Sequence, residues 1–264
     1  MTLIVLGVLV ALAAAARSTW SPCGLSMLSQ LTPLAEAGRG HRFARTAGWF
    51  IAGATLGGLT LGALMAVGAT LVGALGVSAT AALALTALLA LAAAAIDTPV
   101  FGAGPPWLCR QVNEAWLSQV RPWVYAGGFG WQIGAGVTTY VMTAAVPLLI
   151  IVGALRGSPA VALAIGGLFG LARGCAVLLG ARIRTPEALY AAHRRFDAWT
   201  APVRDAVIVA QLAVAVAAAC AGLPFLVAIA VCGAAVAVAT QLAPSRKIAT
   251  STRITSTVEQ NSPK

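Results

Sequence analysis

Charge is scarce in this chain: of 264 residues, 7 are acidic, 2 are histidine and 9% are charged in all. An average soluble domain carries about 25% charged residues, so a water-facing globular surface does not fit this composition. The few carboxylates form no pair for general acid–base work, and no Walker loop, dinucleotide fingerprint or metal-ligand cluster occurs. His193 stands among arginines without ligand companions, so neither a metal nor another cofactor is implied. The 5 cysteines are an odd number, most of them inside apolar segments, which argues against the disulfide framework of a small secreted domain.

What is abundant is apolar. Hydrophobic residues make up 59% of the chain, in long runs of Ala, Leu, Val and Gly. About 20 such residues cross the hydrocarbon as a helix. Peptide groups there find no water, so each crossing is a helix or a strand of a closed barrel. The runs lack the strict alternation of barrel strands, and the fold class is therefore all-α integral membrane. The net charge of +10 lies almost entirely between the apolar runs. There it orients the chain in the bilayer, the one partner that composition implies, and does not point to nucleic acid. A cleaved signal peptide is the rival reading of residues 1–17, which lack the positive n-region such a peptide needs.

The expected spans are Leu3 to about Leu34, broken at Ser18–Gly24, then Thr46–Leu75, Ser78–Ile96, Tyr125–Leu155 and Pro159–Ala181. The run Ala206–Leu242 is long for one untilted helix, and "AGLP" at Ala221–Pro224 can split it. The polytopic helical bundle thus has 6–7 spans within residues 1–242, and the polar Ser/Thr-rich stretch 243–264 is expected to be disordered. The first loop carries Arg39, Arg42 and Arg45, the third Arg110 and Arg121, and the fifth Arg182, Arg184, Arg194, Arg195 and Arg204. The second has no basic residue and the fourth only Arg156. Positive-inside counting makes the odd-numbered loops cytoplasmic, with the N-terminus outside the cell membrane.

An internal echo suggests two inverted three-span repeats, about 1–96 and 125–225. The first and fourth spans each contain glycines and Thr residues before a proline, and each precedes a Gly-rich span, "GATLGG" or "AIGGLFG". Inverted repeats with broken helices near the midplane are a recurring plan of membrane carriers. Within the first break, "SPC" reads as N-cap Ser21, N1 Pro22 and N2 Cys23 of a short helix reaching Leu34. A thiol at a helix N-terminus is favoured as thiolate by unpaired N–H groups and the dipole. The plainer alternative is a proline kink beside an inert buried cysteine.

"SPCGLSML", closing a first span ahead of a Gly-rich second one, resembles the DsbD/CcdA family of membrane thiol–disulfide electron carriers, within the LysE-like transporter group. The resemblance implies thiol–disulfide oxidoreductase chemistry at Cys23, supported by Ser21, Pro22 and Gly24, with a thioredoxin-like redox partner and a place in cytochrome c maturation. It also implies a second cysteine on the fourth span, but "GVTTYV" stands there, with Thr138 and Thr139 and no thiol. Cys175 is the candidate replacement. Arg173 beside it, in "GLARGC", is read as the only charge deep within an expected span and either favours a thiolate or snorkels to the surface. Cys220 and Cys232 read as packing residues, and Cys109 as a loop thiol. A LysE-type solute exporter or a non-catalytic membrane subunit are the alternative functions. Residues 107–121, with Trp107, Val112, Trp116 and Leu117, and "RTPEALYAAHRRFDAWTAP" read as interfacial helices.

Overall fold

A Ser or Thr followed by proline opens helix after helix in this chain. The hydroxyl of Ser21 accepts from Gly24 N at 3.3 Å, that of Thr32 from Ala35 N at 3.1 Å and that of Thr185 from Ala188 N at 3.2 Å. In each case proline occupies the first turn, where its missing N–H costs nothing. A computed structural model describes residues 1–99, 120–136, 141–155 and 157–242. The helices are α1 (Thr2–Thr19), α2 (Pro22–Gln30), α3 (Pro33–Gly38), α4 (Phe43–Ala74), α5 (Ala79–Asp97), α6 (Pro122–Ala135), α7 (Ala145–Leu155), α8 (Pro159–Cys175), α9 (Pro186–Gly222) and α10 (Phe225–Thr240). A 3-10 turn, Ala176–Gly180, extends α8. Among the described residues there is no strand.

Five of these helices are long and apolar enough to cross a membrane: α1, α4, α5, α8 with its 3-10 turn, and α9. Helices α7 and α10 are apolar but shorter. Two boundaries differ from the sequence expectation. The half-helix after the first break stops at Gln30 rather than reaching Leu34, because Thr32 and Pro33 cap and start α3 instead. The basic, aromatic stretch from Thr185 is not a separate surface helix; it runs on into the following span as one helix of 37 residues. At about 1.5 Å per residue, α9 is far longer than one untilted crossing of the roughly 30 Å hydrocarbon needs. The final apolar run divides at Leu223–Pro224 between α9 and α10.

Helix α4 lies at the centre, against α6 on one side and α8 on the other. Small residues line both contacts. A methyl group built on Gly53, Gly57, Gly130 or Gly134 would overlap the facing backbone across α4 and α6. On the opposite side, one on Gly58 would come within 2.6 Å of Gly170 Cα, and one on Gly166 within 2.5 Å of Gly62 Cα. Such backbone-to-backbone approach is how helices associate where no hydrophobic effect separates them from lipid. The main core joins inward faces of α1, α4, α5, α7, α8 and α9, including Val10, Leu61, Met65, Leu149, Phe169 and Ala215.

Gly58→Ala should therefore lower the thermal midpoint of the purified protein, at a cost of about 1–3 kcal/mol for overpacking. Gly48, on the same helix, has nothing within 4 Å of a built Cβ. Gly48→Ala should leave the midpoint unchanged or raise it slightly, by up to about 1 kcal/mol of helix propensity.

Candidate functional site

The chain leaves helical geometry inside the bundle between α1 and α2 and again between α6 and α7. Each break exposes carbonyls at the end of one helix and N–H groups at the start of the next, all in need of partners. Side chains from other helices meet that need. Arg173, on α8 and 2% exposed, donates from Nη2 to Ser18 O at 3.1 Å and from Nη1 to Ile133 O. A single guanidinium thus holds the last turns of α1 and α6, where two negative dipole ends converge. Its carbon lies 5.7 Å from the centre of the Phe169 ring, and its Nε is buried without a hydrogen-bond partner. Arg17 donates to Trp20 O at 2.9 Å, taking another carbonyl at the first break.

Cys23 begins α2 on the far side of that break. Its side chain is fully buried and belongs to a cluster with Met27, Phe50, Phe129, Ile133 and Val177. It also lies within electrostatic reach of Arg173. Gly24 is needed for the sharp return of the chain, because a Cβ there would overlap the Thr19 carbonyl. The other end of α2 is held as firmly. Arg39 donates to Gln30 O at 2.9 Å and to Glu36 Oε1 at 2.8 Å. Glu36 is fully buried and also accepts from Thr46 Oγ1 at 2.6 Å and from the Tyr125 hydroxyl at 2.9 Å.

The second break is capped by an acid. Asp97, the last residue of α5, accepts from Ala144 N at 2.9 Å and Thr143 Oγ1 at 2.6 Å, just ahead of α7. Gln211 of α9 adds a bond from Nε2 to Asp97 Oδ2 at 2.9 Å, while its own Oε1 is buried without a partner. Arg17 lies within electrostatic reach of Asp97 and of Arg204, which pairs with Asp205 at 3.0 Å.

The structure therefore brings together Ser21, Pro22, Cys23, Gly24 and Arg173. The thiol of Cys175 is not in that group: Cys175 is exposed at the end of α8, although Arg173 two residues earlier is buried. Thr138, Thr139, Cys109, Trp107, Trp116 and the tail lie outside the described residues. The snorkelling alternative for Arg173 is overturned by its burial and its carbonyl partners. Nor is it the only deep charge, since Arg17 and Asp205 are also buried within α1 and α9. Cys220 and Cys232 are exposed and half-buried rather than packed inside. Sequence reasoning missed Glu36, Asp97, Arg17 and Gln211. The signal available for Asp97 was an acid ending an otherwise uncharged apolar run.

Fold and composition together define a helical membrane bundle with interrupted helices. Compared with protein-family models, with curated proteins and with solved structures, the chain matches none of them.

Arg173→Met keeps the volume but removes both donors. Each orphaned buried carbonyl should cost about 1–3 kcal/mol, read as a lowered thermal midpoint and faster proteolysis near residues 18–24 and 133–136. Arg173→Lys, which can reach one carbonyl but not fork between two, should fall between this variant and the wild type.

Proposed function

We propose that this chain is a membrane thiol–disulfide carrier of the DsbD/CcdA kind, serving redox transfer across the cell membrane or cytochrome c maturation. The observation that carries the proposal is Cys23 itself, at the second position of a half-helix that starts inside the bundle, beside the buried Arg173. The nucleophile in disulfide exchange is a cysteine sulfur, and Cys23 places one at the start of a half-helix within electrostatic reach of a guanidinium. The buried Nε of Arg173 has no hydrogen-bond partner and is a donor still to be used.

The Cys23 thiolate attacks one sulfur of a disulfide in a thioredoxin-like partner; that S–S bond breaks and the partner's other sulfur leaves as thiolate. A second thiol, Cys175 in this proposal, attacks Cys23 Sγ in the mixed disulfide. The partner departs with both thiols reduced, and two electrons have moved from the Cys23–Cys175 pair. Bridging that pair requires their Cα atoms to come within about 7 Å, so the proposal includes a movement of the exposed end of α8 toward α2.

Two inverted repeats belong to the same proposal. Helix α4 against α8 and α5 against α9 make pairs that a two-fold axis in the membrane plane would exchange, and α6 meets α4 as α1 meets α8. With α10 counted as a crossing, the bundle has seven spans, the N-terminus outside and odd-numbered loops in the cytoplasm.

A second reading, a LysE-type solute carrier, is favoured by the Asp97–Thr143–Gln211 group at the second break, because ionisable groups at membrane depth mark solute and ion pathways. One variant separates the two. In a host lacking its own membrane thiol carrier, Cys23→Ser should insert normally yet lose complementation, since serine keeps the size but carries no electrons. Thiol trapping in native membranes should report Cys23 and Cys175 oxidised together. Full complementation by Cys23→Ser would leave the carrier reading, for which Asp97→Asn is then the disabling change.

A further inference from the structure

Between α2, the 3-10 turn after α8 and the outer turns of α9 lies a groove of about 540 Å³. That volume falls within the roughly 300–1,000 Å³ typical of ligand sites. Its walls are of two kinds. Trp20, Phe196, Leu179 and Trp199 are apolar, and Arg182 and Arg195 carry positive charge, with no acidic residue among the lining. The indole of Trp20 stacks on Phe196 at 5.2 Å and donates to the Phe196 carbonyl at 3.0 Å, so the inner wall is fixed. Outward, the groove gives onto further apolar surface: Leu178, Leu179 and Trp199 are all more than half exposed.

A site with arginines at one part and exposed rings and leucines at another matches an amphiphile with an anionic head. We propose that this groove binds one anionic phospholipid, its phosphate on Arg182 and Arg195 and an acyl chain along Trp20, Leu179 and Trp199. Guanidinium forks match phosphate oxygens. Basic pockets between membrane helices at the headgroup level hold such lipids, and Trp rings favour the same depth. A neutral zwitterionic lipid gains nothing from the two arginines, and a soluble anion gains nothing from the rings. The inference depends on the chain lying in a bilayer and not on the chemistry of Cys23.

The test uses the full-length purified protein, with phosphatidylglycerol, phosphatidylcholine and glycerol phosphate as probes. Binding is read by native mass spectrometry and by the thermal midpoint. Phosphatidylglycerol should be retained and should raise the midpoint, whereas phosphatidylcholine and glycerol phosphate should do neither. Arg182→Gln with Arg195→Gln should weaken phosphatidylglycerol binding by roughly thirtyfold, as expected for two basic charges near an anionic surface. Arg42→Gln with Arg45→Gln, also exposed, at the start of α4, should leave it unchanged. Equal loss in both pairs would mean non-specific charge attraction and would overturn the site. So would equal retention of the two lipids, or a midpoint shift reproduced by glycerol phosphate alone. Ala191→Trp, which fills the groove and leaves its charges in place, should also abolish retention; binding that survives it places the lipid elsewhere.

Discussion

Two helices end inside this bundle, and one guanidinium holds both ends. Arg173 reaches Ser18 O at the close of α1 and Ile133 O at the close of α6. Without it, each break would leave carbonyls in a low-dielectric interior with no water to satisfy them. The complementary groups are arranged around the same need. Ser21 supplies an acceptor to the start of α2 and Asp97 one to the start of α7, so carbonyl ends receive donors and N–H ends receive acceptors. The cost of burying these charges is offset by helix termini of opposite sign.

That arrangement depends in turn on how closely the helices approach. Arg173 spans two breaks only because α8 and α6 both lie hard against α4, with glycine backbones in contact on either side. A larger residue at Gly58 or Gly134 would move a neighbouring helix outward by more than a hydrogen bond tolerates. Small residues in the central helix and a long cation in its neighbour are therefore one design, in which packing sets the distances that the polar groups then use.

Much of this was legible in the residues. The glycine clusters Gly53–Gly58 and Ala164–Gly170, read as a repeated pattern, are packing surfaces: Gly53 and Gly57 set α4 against α6, and Gly58 meets Gly166 and Gly170 of α8. The Ser21–Pro22 start needs no tertiary information, because a cap and a proline act locally. What could not be read was which charges turn inward. An arginine near the end of an apolar run looks the same whether it snorkels, one of the two readings of Arg173, or is drawn in by carbonyls from helices more than a hundred residues away in one case. Glu36 likewise sits in a polar stretch, and only the fold delivers Tyr125 and Thr46 to it. The side on which Cys175 emerges follows from the rotation of α8, which a periodicity of small residues on both faces does not specify.

Helix α9 contains a proline, Pro202, between its exposed outer turns and its buried apolar length. The ring removes one backbone bond and loosens the helix at that place. The outer segment is consequently a lever with its fulcrum near Pro202. It meets the rest of the protein through the Trp20–Phe196 stack, the 3.1 Å hydrogen bond between His193 and Ser29, and the packing of Phe196 on Leu28 and Ile183; Trp20 is the residue immediately before the Ser21 cap. Both ends of α2, the Trp20–Ser21 start beside the buried thiol and Ser29 near its close, are thus joined to that outer segment, whereas the glycine-packed contacts of α4 are made with other helices.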